Sequence, residues 1–110
     1  MKKIANFLII EQKNEIFTIY LTAELQDDLG TIGFLKFTNK KQLEKDDVVA
    51  KIEASKTVFS IKTPLKCRII ELNQLAEKDP KILNSHESDK NWLFKAKDID
   101  QSEFDELEDF

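Results

Sequence analysis

The chain has 110 residues, 41% apolar and 35% charged, with two Gly, two Pro and one Cys. This suffices for one domain with a modest core; it excludes a low-complexity chain, and a single Cys excludes a disulfide framework within the monomer. The net charge is -4, but residues 98–110 hold seven acids and no base, leaving 17 bases against 14 acids in residues 1–97, with no dense basic cluster interleaved with aromatics that would bind nucleic acid.

The opening run from Met1 to Glu11 imitates a signal peptide, but it is short, broken by Asn6, ended by a charge and without a small-residue cleavage site. It reads as a first strand. No other apolar run approaches membrane-spanning length, so no membrane partner and a cytoplasmic location are expected. Residues 15–21 form a second strand with Phe17, Ile19 and Leu21 on one face. Thr22 is a helix N-cap, 23–29 a short helix and Gly30 its C-cap. Extended structure resumes over 31–37, with Ile32, Phe34 and Lys36 on one side, Leu35 and Phe37 on the other, and Gly33 marking a bulge or a close backbone approach.

Residues 38–47 read as a polar loop, and 48–54 and 57–62 as strands. Pro64 interrupts pairing before a strand over 68–72. Asn73 is expected to cap a short helix through Leu75, Ala76 and Glu77, limited by Asp79-Pro80. Residues 91–97 form the last strand, with Trp92 and Phe94 on a core face. Many short strands with brief helices predict an all-β barrel or sandwich.

Lys56 stands between two of these strands, in Glu53-Ala54-Ser55-Lys56-Thr57. A hairpin tip would push its amine away from the body with little nearby to restrict it, as a swinging arm requires. The plain alternative is a solubilising turn lysine, and spacing does not separate the two.

From about Phe7 to Asp98 the chain resembles the glycine cleavage H-protein family. The family's lipoylated lysine lies in a Glu-Ser-Val-Lys-Ala type motif, matched here by Glu53-Ala54-Ser55-Lys56-Thr57. Leu21-Thr22 through Leu29-Gly30, Ile32 and Phe34 resemble its threonine-capped helix and following strand. Thr63-Pro64-Leu65, Ile69-Ile70-Glu71-Leu72-Asn73, Asp79-Pro80, Leu83-Asn84 and Trp92-Leu93 follow in order. Biotinyl domains differ, with Met on both sides of the modified lysine. The resemblance implies a lipoyl-domain-like barrel-sandwich hybrid over 1–97, with an acidic tail over 98–110. It implies lipoate carried covalently on Lys56, with Glu53, Ala54, Ser55 and Thr57 as recognition residues. The protein would be no enzyme itself but a substrate of a lipoate–protein ligase and of partner enzymes.

Two departures bear on the partners. The family's His-Glu-Trp type segment is replaced by Asn6-Phe7-Leu8-Ile9, and its Ser-Gly step by Lys66-Cys67. The blocks Glu24-Leu25-Gln26-Asp27-Asp28 and Asn91-Trp92-Leu93-Phe94-Lys95 resemble a divergent H-like group. That group is associated with a lipoate–protein ligase, a class M sirtuin and a macrodomain protein, and with stress-linked ADP-ribosylation or a lipoyl relay. By this resemblance Asp27 is the ADP-ribose acceptor and Asp28 the second choice; otherwise both acids merely solvate a helix end. The alternatives are an H protein carrying an aminomethyl group among the glycine cleavage P, T and L enzymes, and a non-lipoylated β-rich interaction module.

Cys67 reads as a buried apolar residue, and His86 as a lone histidine without a second metal ligand. In the tail, Phe104, Leu107 and Phe110 have helical spacing, and Ser102 and Asp105 have capping-box spacing. The segment is too short for a stable helix alone, so docking, partner binding and fraying stay open.

Overall fold

Alternation of apolar and polar side chains builds two sheets here, and departures from strict alternation mark where the strands bulge. A computed structural model describes residues 1–110. In chain order it contains β1 (Lys2–Ala5), β2 (Leu8–Lys13), β3 (Ile16–Leu21), α1 (Ala23–Leu29), β4 (Ile32–Phe37), β5 (Gln42–Leu43), β6 (Val48–Ala54), β7 (Val58–Lys62) and β8 (Cys67–Leu72). There follow α2 (Leu75–Lys78), a 3-10 turn (Pro80–Asn84), α3 (Ser88–Asn91), β9 (Trp92–Lys97), α4 (Gln101–Asp105) and β10 (Glu108–Asp109). One sheet runs β10-β1-β2-β3-β9-β8-β5 and the other β4-β6-β7, all neighbours antiparallel. Both sheets and α1 contribute to one continuous core that includes Leu8, Ile19, Leu25, Ile52, Ile61 and Phe94.

The opening run is a hairpin rather than one strand. Asn6 and Phe7 both adopt positive φ, 53° and 65°, and reverse the chain so that Ala5 pairs with Leu8. Two consecutive left-handed residues match the twist of the flanking strands, and Asn tolerates that conformation well. Phe7 does not, which is why the turn was not apparent from residue type. The polar loop also contains β5, two residues paired with β8, too short to show a pattern.

Helix α1 occupies the expected residues. Thr22 Oγ1 accepts from the Leu25 amide, and the Gly30 amide donates to the Gln26 carbonyl at φ +74°. The register shifts between Ile32 and Phe34, so Ile32, Leu35 and Phe37 are all buried while Phe34 is exposed. The bulge at Gly33 thus corrects the simple assignment of Ile32 and Phe34 to one face. A second shift, at Ile19 and Tyr20 against β9, separates Trp92 from Phe94: Phe94 is in the core, whereas Trp92 is half-buried. Asn73 does not cap α2 with its side chain. It is buried and donates through Nδ2 to the carbonyls of Lys90 and Trp92, tying the α2 entrance to β9.

Residues 98–110 fold against the rest of the chain. Asp100, not Ser102, caps α4 by accepting from the Glu103 amide. Phe104 is fully buried, edge-on to Phe17 with ring centroids 5.1 Å apart. Strand β10 covers the edge of β1, and the ammonium of Lys3, itself buried, bonds Asp109 and the Asp105 carbonyl. A tail too short to be helical alone is therefore ordered by tertiary packing.

Candidate functional site

Strands β6 and β7 pair up to Glu53 and Val58, and the Ala54 amide closes the turn on the Thr57 carbonyl at 2.9 Å. Ser55, Lys56 and Thr57 form an exposed tip. The tip is held from below. The Ser55 amide donates to the Thr31 carbonyl at 2.9 Å, and Ser55 Oγ accepts from the Thr31 amide at 3.0 Å. The Lys56 amide donates to the Leu29 carbonyl at 3.1 Å.

The amine of Lys56 is not unrestricted. Its Nζ donates to the main-chain carbonyl of Asp27 at 2.9 Å. The last carbonyls of a helix have no partner within it and carry the negative end of its dipole, and α1 has no basic residue in its last turn. A lysine from the neighbouring hairpin supplies the missing cation.

Gly30 is what lets the hairpin come this close. A Cβ there would lie 2.4 Å from Ser55 Oγ and 3.2 Å from Lys56 Cγ, and its φ of +74° is itself unfavourable to other residues. Its role as a cap was legible; its role as the floor under Lys56 was not, because the contact spans residues 30 and 55–56. Asn84, part of the family-like Leu83-Asn84 block, has a bracing role that the sequence did not reveal. Its Nδ2 donates to the Gly30 carbonyl at 2.9 Å and its Oδ1 accepts from the Ile32 amide at 3.0 Å, fixing the chain between helix and strand. Gln26 adds a bond from Nε2 to the Leu83 carbonyl at 2.6 Å.

Beside the tip lies an open recess of about 490 Å³ with no hydrophobic residue in its lining, which includes Asp27, Lys56, Lys81, Asn84 and His86. Asp27 and Asp28 are both exposed, but only Asp27 borders this recess. Glu53 lies on the exposed face of β6 between Phe34 and Val58, its cross-strand partners, and Thr57 is exposed with its hydroxyl bonded to the Val58 carbonyl. Ala54 is half-buried beneath the turn. Cys67 is buried at the start of β8, outside the tip. Its sulfur is 3.8 Å from Thr63 Oγ1, and burial pushes its thiol pKa up, with the Thr63 contact opposing this.

The pattern of the family described as glycine cleavage H-protein matches residues 2–110. A glycine cleavage system H-like protein from Staphylococcus aureus is 46% identical over 104 residues, 94% of each chain. A glycine cleavage system H protein from Thermotoga maritima is 29% identical over 98 residues, 88% of this chain and 79% of that one. Among solved structures, a glycine cleavage system H protein from Mycobacterium marinum aligns with a TM-score of 0.75 at 18% identity, over 87% of this chain and 81% of that one, which shows the shared barrel-sandwich fold. Members of this family are carriers rather than catalysts and hold lipoate covalently on a lysine. With a hairpin that presents one lysine on a braced tip, within a barrel-sandwich of this connectivity, the chain belongs to the glycine cleavage H-protein family.

Proposed function

We propose that Lys56 is the lipoyl attachment residue and that the protein presents this arm to partner enzymes. The observation that carries the reading is the contrast at the tip, where the Lys56 side chain is exposed while its backbone is bonded to Leu29 and Ser55 beside it to Thr31. A fixed anchor with an accessible amine suits an arm that visits separate active sites. The residues present fit the group: the only side-chain partner of Lys56 is a main-chain carbonyl at the surface, a contact that a modifying enzyme can displace. Lipoate supplies a disulfide–dithiol pair when bound. The chain's own contribution is to hold Nζ at the tip. The ammonium gives up one proton to become a nucleophile. The amine then displaces the leaving group of an activated lipoyl carboxylate with loss of a second proton, and the amide nitrogen keeps one N–H that can still donate. Glu53, Ser55 and Thr57 present the polar surface that a lipoate–protein ligase would read, with Ala54 shaping the turn beneath it.

Intact mass of the native protein, with peptide mapping across Lys56, tests this. A lipoyl increment on Lys56 that is absent from Lys56→Arg supports it. An unmodified Lys56 in the presence of active ligase and lipoate rejects it and leaves a β-rich interaction module.

The finer reading is an H-like carrier in a stress-linked system or lipoyl relay, served in the cytoplasm by the ligase, a class M sirtuin and a macrodomain protein. The greater identity to the H-like relative than to the Thermotoga H protein supports it. In this reading Asp27 is the ADP-ribose acceptor and Asp28 the second choice. Support comes from the recess that Asp27 shares with Lys56: a bulky anionic adduct there would stand beside the arm's root and oppose docking by size and charge. Loss of labelling in Asp27→Asn, with retention in Asp28→Asn, is the expected result; unchanged labelling of Asp27→Asn removes the assignment. Family membership keeps a second reading in view, service with the glycine cleavage P, T and L enzymes. Loading of the arm by glycine with those enzymes would favour it.

A further inference from the structure

Five lysines follow one side of the molecule without an ion-pair partner. Lys36 on β4 and Lys51 on β6 are directly opposite each other in the antiparallel register, on the exposed face of the smaller sheet. Like charges so placed repel, so this pair works against the fold. Both border a recess of about 510 Å³ together with Lys40. Lys40 also borders an adjoining recess of about 770 Å³, to which Lys41 and Lys78 belong. Lys78 has a local role at the C-terminal end of α2, whereas the other four lie on strands or in the loop that joins them.

Two acids border these recesses, and each has a partner. Asp47 accepts from the Glu44 amide at 2.9 Å, and Glu71 is 3.9 Å from Lys95. The larger recess also exposes apolar surface: Ile70 is on its border, Leu75 is 66% exposed, and Trp92 is half-buried with the Lys95 ammonium 5.2 Å from its ring centroid.

We propose that this belt is a docking surface for an acidic protein segment bearing an apolar side chain. Carboxylates would lie along Lys51, Lys36, Lys40 and Lys41, relieving the repulsion of the opposed pair, and the apolar side chain would rest against Ile70, Leu75 and Trp92. Two joined concave recesses fit a chain segment better than a flat bilayer, and the apolar end distinguishes the surface from a phosphate-tracking groove. Lys51 shares the outer face of β6 with Glu53, two residues nearer the tip, so a partner held on the belt has Lys56 within its reach.

Amide chemical-shift titration of the full chain with a short Asp/Glu-rich peptide containing one central Phe tests the proposal. The uncharged Asn/Gln version of the peptide and phosphatidylglycerol vesicles serve as comparison probes. Saturable shifts at residues 36, 40, 41, 51, 70, 75 and 92 are expected with the acidic peptide. The charge-reversed variant Lys36→Glu/Lys40→Glu/Lys51→Glu, checked for retained fold by its spectrum, should weaken binding roughly tenfold or more, as loss of three exposed ion pairs of ordinary strength implies. Absence of saturable shifts, shifts confined to another face, equal binding of the uncharged peptide, or recruitment by vesicles but not by the peptide would each overturn the proposal.

Discussion

Lys56 Nζ lies 2.9 Å from the main-chain oxygen of Asp27, and the Lys56 amide is bonded to the Leu29 carbonyl, so one residue of the hairpin engages two carbonyls of the last turn of α1. The helix is therefore part of the site. It sets the height of the tip, and it brings the carboxylate-bearing residue Asp27 to the same recess as the lysine.

That arrangement depends on Gly30. Gly30→Ala would place a methyl group against Ser55 Oγ and hold a non-glycine residue at φ +74°. A stability loss of about 1–3 kcal/mol is expected from the strained backbone and displaced tip. Urea unfolding measures it, and slower ligation at Lys56 should accompany it under the proposed function. Gly33→Ala is the control, since a Cβ there would meet nothing nearer than the Glu53 carbonyl at 3.8 Å.

How much of this was legible follows from the range of each interaction. Thr22, the 23–29 helix and Gly30 are recognisable because capping and helix termination act within one turn. Phe17, Ile19 and Leu21 alternate cleanly and are buried as their spacing predicts. Asn84 stood in the family-like Leu83-Asn84 block, but its role had no local signal, because its partners are more than fifty residues away. Lys56 could be placed at a turn by pattern, but its bond to Asp27 depends on α1 packing beneath the hairpin, which periodicity does not reveal. The tail was unreadable for the same reason, because Phe104 finds Phe17 only in three dimensions.

Phe104 therefore anchors more than its own helix. Phe104→Ala would leave a cavity against Phe17 and should cost about 3–5 kcal/mol, a large share of the roughly 5–15 kcal/mol that holds a domain of this kind together. Thermal unfolding is expected to show a marked fall in Tm. Phe110→Ala should change stability by no more than ~0.5 kcal/mol, because that ring is 64% exposed.

Alkaline pH should weaken the fold through two groups. Burial raises the pKa of Cys67 above its ordinary 9.0, and burial with the Glu11 charge raises Tyr20 above 10.0. A raised folded-state value means the unfolded chain releases its proton first, so stability present below pH 9 declines as pH rises past the unfolded value and through the folded one. Stability measured from pH 8 to 10.5 should therefore fall less steeply in Cys67→Val at the lower end and in Tyr20→Phe at the upper end. Identical slopes in all three proteins would contradict this assignment.

Asn84 offers a test of whether the tip is braced from below. Asn84→Ala removes both the acceptor for the Ile32 amide and the donor to the Gly30 carbonyl, and the part-buried main-chain groups are left without those partners. Unmade bonds of this type cost about 1–3 kcal/mol, and the loss should be concentrated where Gly30 meets the hairpin. Hydrogen exchange is the discriminating measurement. Faster exchange is expected at Ile32, at Thr31, which donates to Ser55, and at Ser55 and Lys56, which donate to Thr31 and Leu29. The amides of β2 and β3, on the other sheet, should keep their relative protection. Uniform acceleration across both sheets would mean that Asn84 supports the whole fold and has no particular hold on the lysine-bearing turn.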